Sequence, residues 1–183
     1  FMKIFVTGAT GFTGTRVVLL LLKNGFDVRC LYRTSSDRSQ LPQPEIEWAL
    51  GDVSDPQSLT SAMAGTDILV NNASLGFGHA DSIIRAAKDA GVQRAVFIST
   101  TAIFTQLNAS SKKVRVAAEL AVENSGLDYT ILRPTMIYGS PRDRNMWRLI
   151  RFMRLSPIVP IFGDGKAGEK IADILGKMNL SIK

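Results

Sequence analysis

Short β-type segments alternate with helical stretches along most of this 183-residue chain. The strands are predicted at residues 3–7, 27–32, 46–50, 67–71, 94–99 and 129–132. The helices are predicted at residues 13–24, 55–64, 80–90, 112–124 and 144–155. Strands separated by helices of roughly 10–15 residues form βαβ units, whose crossovers are right-handed. The sequence therefore predicts an α/β fold, a doubly wound parallel sheet with helices on both faces.

Composition excludes several other classes. Cys30 and His79 are the single cysteine and histidine, so an internal disulfide, a thiolate cluster and a multi-histidine metal site are excluded. The longest aliphatic run, residues 17–22, is far shorter than the roughly 20 residues that span a bilayer. No signal peptide is visible. We expect a cytoplasmic protein without a metal site or a membrane partner.

Positive charge is concentrated in the second half of the chain, where residues 91–183 carry a net charge of +7. Such a half suits an anionic partner. On the predicted helix at 144–155, arginines recur on one face, and Arg144 and Arg148 are candidates for binding an anionic or nucleotide-linked substrate. A solvated helix face is the simpler alternative. Nucleic-acid binding is not favoured, because only Trp147 and Phe152 interleave with these cations.

A glycine-rich segment, GATGFTG at residues 8–14, lies between the first strand and the first helix. A helix N terminus offers unpaired N–H groups and a partial positive charge, which attract a pyrophosphate. Gly8 permits a tight turn, Gly11 lets the backbone approach the phosphates, and Gly14 lets the helix pack on the strand. This segment predicts a bound dinucleotide.

The Gly-x-x-Gly-x-x-Gly spacing resembles the atypical and extended short-chain dehydrogenase/reductase superfamily. Further matches are Gly-Asp at 51–52, Asn-Asn-Ala at 71–73, Ser-Thr at 99–100 and LRPTMIYG at 132–139. The resemblance is closest to the NmrA-like and NAD-dependent epimerase/dehydratase branch. It implies an NAD(P)-binding Rossmann domain at residues 2–140. Complete members continue past the Gly-Asp-Gly at 163–165, so residues 141–183 are expected to be the remnant of a reduced substrate lobe.

The resemblance also implies which residues hold the cofactor. The pyrophosphate would be lined by the glycine-rich segment, the adenine by Asp52 and Val53, the riboses by residues 72–74, and the nicotinamide by Pro134. The candidate cofactor residues are Gly8, Thr10, Gly11, Phe12, Thr13, Gly14, Arg33, Asp52, Val53, Asn72, Ala73, Ser74, Arg115 and Pro134.

The end of the second strand bears on the choice between NADP and NAD. An acidic residue there typically binds the ribose 2′-hydroxyl of NAD, whereas a nearby arginine accommodates the 2′-phosphate of NADP. Here Arg33 ends the strand, Arg38 follows in the loop, and Asp37 is the only nearby acid. The sequence favours NADP and leaves NAD open. An ordinary solvated arginine is the alternative for Arg33.

The catalytic Tyr-x-x-x-Lys pair of the superfamily is absent. Its positions fall on Ser111 and Arg115, and arginine could still hold a ribose or phosphate but cannot exchange a proton near neutrality. Ser99 and Thr100 supply the remaining hydroxyls near the expected nicotinamide, with capping of the strand end as the alternative. Ser99, Thr100 and Ser111 are the catalytic candidates.

Two further residues are candidates for contacting substrate, His79 and Tyr138, although a satisfied loop histidine and a packed aromatic are the simpler explanations. Two functions stay open. One is an NADP-dependent oxidoreductase or a nucleotide-sugar epimerase/dehydratase-like enzyme. The other is a non-catalytic NAD(P)-sensing NmrA-like regulator. The sequence does not indicate the oligomeric state.

Overall fold

A computed structural model describes residues 2–106, 110–135, 137–138 and 146–155. Its described part contains one six-stranded sheet in the order β3-β2-β1-β4-β5-β6, with all neighbouring strands parallel. The strands are β1 Lys3–Thr7, β2 Asp27–Tyr32, β3 Glu47–Leu50, β4 Ile68–Asn71, β5 Arg94–Ile98 and β6 Asp128–Leu132. The helices are α1 Phe12–Lys23, α2 Pro56–Met63, α3 Ala80–Asp89, α4 Ser110–Glu123 and α5 Met146–Leu155. The predicted fold class is confirmed.

Each predicted strand and helix is found, with small shifts at its ends. Two 3-10 segments, Leu75–Phe77 and Thr101–Phe104, were not predicted. The sequence expected a helix from residue 144, but residues 144 and 145 lie outside the described part. Helix α5 belongs to a second compact unit, residues 138–183, whereas the sheet belongs to the first, residues 1–137. The domain boundary predicted at residue 140 stays a prediction, as does the reduced substrate lobe.

The two faces of the sheet carry different helices. Val18 of α1 packs with Val6 and Cys30 in one buried cluster. The opposite cluster contains Phe5 of β1, together with side chains from three helices, namely Leu59 of α2, Ile83 of α3 and Val122 of α4. Neighbouring residues of a strand point to opposite faces, so Phe5 and Val6 enter different layers. Apolar residues cover both sides, as a parallel sheet requires.

The strand order reverses at β1, which lies between β2 and β4. The chain after β1 and the chain after β4 therefore leave the sheet toward opposite sides, and a crevice opens between them. Ligands of open α/β sheets bind in such a crevice, at the carboxyl ends of the strands. The topology directs attention to the segments that follow Thr7 and Asn71.

Local sequence signals explain where helices begin. Asp55 caps α2, and its carboxylate accepts hydrogen bonds from the N–H groups of Gln57 and Ser58 at 3.1 and 3.3 Å. Pro56 occupies the first turn, where its missing N–H has no intrahelical partner to lose. Helix α1 differs, because Gly11 at its N-cap supplies no side-chain oxygen. The N–H groups at the start of α1 therefore have no side-chain cap.

None of the helices in the described part has the length and apolar character needed to cross a bilayer. Within the same ranges, histidine, cysteine, aspartate and glutamate side chains form no group of three or more suited to a metal ion.

A buried carboxylate joins α4 to the end of β6. Glu119 is 4% exposed and accepts three hydrogen bonds from the Arg133 guanidinium, at 2.7, 2.9 and 3.2 Å. These hydrogen bonds raise the pKa of Arg133 above its usual value, and the charge of Glu119 contributes in the same direction. The pair fixes the residue immediately before Pro134 against the helix.

We expect Glu119→Ala to lower the free energy of unfolding by about 1–3 kcal/mol, because it removes charge-assisted hydrogen bonds in a buried place. Urea unfolding measures the change. Glu123→Ala is the matched control, since Glu123 is 3.9 Å from Arg133 and its side chain is 43% exposed. Its effect should stay within about 0.5 kcal/mol. Equal losses in the two variants would contradict a specific role of the buried pair.

Candidate functional site

A cleft of about 730 Å³ opens at the carboxyl ends of the strands, at the point where the strand order reverses. It is lined by many of the residues predicted to contact cofactor or substrate. These are Gly8, Thr10, Gly11, Arg33, Asp52, Val53, Asn72, Ala73, Ser74 and His79. They come from four separate segments, those that follow β1, β2, β3 and β4. The fold thus brings together residues that are far apart in sequence.

The glycine-rich segment approaches the opposite wall so closely that side chains would not fit. Gly8 has a φ of +61°, and a Cβ there would lie 2.8 Å from the backbone of Asn72 and Ala73. A Cβ on Gly14 would overlap the carbonyl oxygen of Gly8. Gly14 is buried within α1 and does not line the cleft. Gly14 instead allows α1 to pack closely on the turn at Gly8 and Ala9.

A buried hydrogen-bond network connects the two walls. The Thr7 hydroxyl donates to the Asn71 side-chain oxygen at 2.6 Å and accepts from the N–H of Ala73 at 3.3 Å. The Asn71 amide donates to the carbonyl oxygen of Ala73 at 3.0 Å. Thr7 and Asn71 were not among the predicted site residues. A polar residue at the end of each of two buried strands was the signal that could have found them.

Asn72 differs from its neighbour Asn71. Both polar atoms of its side-chain amide are buried, and neither has a partner among the described residues. A buried amide without partners is costly, so a ligand with hydrogen-bonding groups at this wall would satisfy it. With the uncapped N terminus of α1 on the facing wall, the cleft offers N–H donors to phosphates and an amide to a sugar. The residues present fit a dinucleotide.

The far end of the cleft carries opposite charges. Hydrogen bonds from the Ser54 hydroxyl and N–H, at 2.7 and 2.8 Å, hold the pKa of the Asp52 carboxyl below its usual value. The charges of Arg33 and His79 lower this pKa further. The Arg33 guanidinium is 4.0 Å from Asp52, and its side chain is 64% exposed. The N–H of Arg33 donates to the Ser36 hydroxyl at 2.9 Å.

His79 lines the same cleft as Asp52, and the described contacts do not join it to Ser99 or Thr100. Its predicted role as a substrate contact is untested. Six lining residues were not on the list of predicted site residues, namely Leu31, Tyr32, Ser36, Ser54, Phe77 and Ile83. Phe77 is 76% exposed, which is unusual for an aromatic side chain. It follows Gly76 in the first 3-10 segment.

Several predicted residues lie outside this cleft. Phe12 and Thr13 are in the first turn of α1, where the Phe12 ring packs against the Arg16 guanidinium at 4.2 Å. Pro134 follows β6, and its carbonyl oxygen accepts from the N–H of Thr101 at 3.2 Å. Arg115 contacts Ser111 at 3.4 Å, and its guanidinium lies against Gly76.

The catalytic candidates are also not part of the cleft lining. The Thr100 hydroxyl accepts a hydrogen bond from the N–H of Ala102 at 3.2 Å and so caps the second 3-10 segment. The Ser99 N–H donates to the carbonyl oxygen of Leu132 at 2.7 Å. The Ser99 hydroxyl is buried and has no partner in the described part of the chain. No described hydrogen bond joins Ser99 or Thr100 to Ser111.

The remaining substrate candidates are in the second compact unit. Tyr138 is described there and is 70% exposed. Arg144 lies outside the described residues, as does the side chain of Arg148.

The fold and the cleft define a dinucleotide-binding Rossmann protein. Comparison with family models agrees, since the model of a family described as NAD(P)H-binding matches residues 8–150. The chain belongs to this NAD(P)H-binding family. Its relatives include reductases and epimerases, so the resemblance to the atypical short-chain dehydrogenase/reductases and the epimerase/dehydratase branch is confirmed.

Three similar proteins illustrate the range. A ceramide reductase of Caulobacter vibrioides is 30% identical over 170 residues, which cover 85% of this chain and 52% of that protein. The NADPH-dependent quinone oxidoreductase QOR2 of Escherichia coli, solved with NADPH, is 28% identical with a TM-score of 0.62. The match covers 71% of this chain and 48% of QOR2. The Bordetella bronchiseptica enzyme WbmH, solved with NAD+, shares the fold at 20% identity and a TM-score of 0.72. The match covers 84% of this chain and 63% of WbmH.

The chain spans about half the length of the curated relatives that it matches. Solved structures in complex with NADPH and with NAD+ are both similar to it, so the comparisons support dinucleotide binding without a choice between the two.

We expect Gly14→Ala to lower the free energy of unfolding by about 1–3 kcal/mol, because its Cβ would overlap the Gly8 carbonyl oxygen. The sign is informative, since alanine normally stabilises a helix by about 1 kcal/mol over glycine. Urea unfolding and circular dichroism measure the effect. Leu20→Ala in the exposed part of the same helix is the control and should change stability far less. A stabilised Gly14→Ala variant would contradict the close approach.

Proposed function

We propose that this protein binds NADP(H) in the cleft and uses it for hydride transfer between the nicotinamide and a carbonyl or alcohol substrate. The observation that carries the proposal is the continuous cleft that runs from Gly8 and Gly11 to Arg33, with an uncapped helix N terminus at one end and an exposed guanidinium at the other. These features suit a pyrophosphate and a ribose 2′-phosphate, respectively.

The proposed roles follow the cleft. Thr10 and Gly11, with the first N–H groups of α1, bind the pyrophosphate. Asp52 and Val53 contact the adenine, beside His79. The Asn72 amide, which has no described protein partner, hydrogen-bonds a ribose. These roles rest on the lining of the cleft and on the family resemblance together.

The preference for NADP over NAD is supported by charge. Asp52, the acid nearest Arg33 in the cleft, already accepts two hydrogen bonds from Ser54, and the Arg33 guanidinium contacts it only at 4.0 Å. The guanidinium is therefore available for a phosphate, which it can bind with two N–H groups. No acid replaces it at the end of β2, where an NAD-binding protein typically has one.

The chemistry that the dinucleotide supplies is hydride transfer, which reductases and epimerases share. In place of the tyrosine of the superfamily, we propose that a hydroxyl contacts the substrate oxygen. Ser99 is the best supported candidate, because its hydroxyl is buried without a described partner at the end of β5. The Thr100 and Ser111 hydroxyls already interact with Ala102 and Arg115. We propose that Ser99 hydrogen-bonds the reacting oxygen.

We expect NADP+ to bind with at least about tenfold higher affinity than NAD+, measured by calorimetric titration. Arg33→Asp should reverse this preference, because it removes the phosphate contact and adds the acid that favours a 2′-hydroxyl. Arg94→Ala is the control, since Arg94 is exposed at the amino end of β5, away from the cleft. Equal loss of both dinucleotides in Arg33→Asp would contradict the assigned role of Arg33. Binding of neither by the unsubstituted protein would contradict the proposed function.

We expect the protein to oxidise NADPH with at least one member of a panel of quinones, ketones and nucleotide sugars. The reaction is measured as the loss of absorbance of the reduced nicotinamide. Ser99→Ala should lower kcat by about tenfold or more and leave the NADPH affinity and stability unchanged, because the hydroxyl has no described protein partner to lose. Ser82→Ala is the matched control, because it also removes a buried hydroxyl without a described partner, but one on helix α3 rather than at the end of β5. Persistent inactivity of an NADPH-saturated protein would favour a sensor instead.

A further inference from the structure

We propose that Arg38 is a positioning residue for the dinucleotide, and that it acts by stacking on two aromatic rings behind the cleft. It holds the β2–β3 loop, residues 33–46, in the shape that presents Arg33 and Ser36 to the 2′ end of the adenosine. The inference rests on the proposed function, since it assumes that this end of the cleft binds NADP(H).

The geometry is a three-membered cluster, the Arg38 clasp, made of Tyr32, Arg38 and Trp48. The Arg38 guanidinium lies 4.6 Å from the centre of the Tyr32 ring and 5.3 Å from that of Trp48. The two rings meet edge to face, with centres 5.9 Å apart and planes at 86°. These distances are those of favourable cation–π and aromatic pairs. The parallel register that pairs Cys30 with Trp48 brings the two rings together.

The loop that the clasp holds has no regular secondary structure over residues 33–46. Turns stabilise it locally, where Ser36 donates its N–H to the Arg33 carbonyl oxygen and Leu41 donates to that of Arg38, at 2.8 and 2.9 Å. Leu41 and Ile46 are buried in the cluster that faces α1 and anchor the far part of the loop. Between Arg33 and Leu41, Arg38 contacts the aromatic rings of Tyr32 and Trp48.

The clasp is connected to the cleft on one side only. Tyr32, Arg33 and Ser36 line the cleft, whereas Arg38 and Trp48 do not. Loss of the stacking therefore removes no lining residue. It removes stacking that helps to order the backbone between Arg33 and Leu41, so part of the free-energy cost of ordering that segment then falls on cofactor binding. The 2′ end of the adenosine is the part of the ligand that this affects most.

A direct contact between Arg38 and the 2′-phosphate is the competing explanation. Substitution of Trp48 distinguishes the two explanations. Trp48 carries no charge and does not line the cleft, so a loss of NADP+ affinity on its substitution does not come from a lost contact with the 2′-phosphate. We expect Arg38→Ala and Trp48→Leu each to weaken NADP+ binding by about three- to tenfold and NAD+ binding by less. The double variant should lose less than the sum of the two single losses, because both substitutions remove the contact between Arg38 and Trp48.

The experiment is calorimetric titration of the full chain with NADP+ and NAD+, with thermal unfolding of every variant. The conservative variants Arg38→Lys and Trp48→Phe keep a cation and a ring and should recover most of the affinity. Arg94→Ala, which removes a cation at the amino end of β5, should bind as the unsubstituted protein does.

Three results overturn the inference alone: unchanged NADP+ affinity in both variants, loss in Arg38→Ala but not in Trp48→Leu, and full additivity in the double variant. Each assumes normal NADP+ binding by the unsubstituted protein. Absence of that binding overturns the proposed function, and the inference with it.

Discussion

The hydrogen bond of 2.6 Å from the Thr7 hydroxyl to the Asn71 side chain joins the ends of β1 and β4, the two strands on either side of the point where the strand order reverses. Both residues are fully buried, so each polar group needs its partner and the network is costly to break. Gly8 follows Thr7, and Asn72 follows Asn71. This bond therefore sets the separation of the two walls of the cleft, on which the other site contacts depend.

Two adjacent asparagines show how the structure separates support from recognition. Asn71 uses its side chain within the protein, where it bonds Thr7 and the Ala73 carbonyl oxygen. Asn72 has a buried amide without a described partner, and it lines the cleft. Thr100 and Ser99 differ in the same respect, since the Thr100 hydroxyl caps a turn and the Ser99 hydroxyl has no described partner, although neither residue lines the cleft. A satisfied polar group stabilises the fold, whereas an unsatisfied one at a cleft is available to a ligand.

Much of the fold and the core of the site followed from the sequence. The alternation of strands and helices predicted each strand and α-helix of the described part but not the two 3-10 segments, and the glycine spacing predicted the wall at Gly8 and Gly11. The rest depended on side-chain direction. Tyr32 and Phe77 line the cleft, and Pro134 does not, because the orientation of a residue at a strand end follows from the assembled sheet. His79 lines the cleft and its charge helps to lower the pKa of Asp52, while its role as a substrate contact stays a prediction.

By itself the sequence determined the order of the elements, the parallel α/β architecture and a glycine-rich turn before a helix, because periodicity, caps and turn residues act within one short segment. Only the tertiary structure decided that Asn71 hydrogen-bonds Thr7 while Asn72 lines the cleft. It also decided that Glu119 pairs with Arg133 and that Arg38 stacks on Trp48. Those contacts join residues from different segments. They depend on strand register and on helix packing across the sheet, which local sequence preferences do not specify.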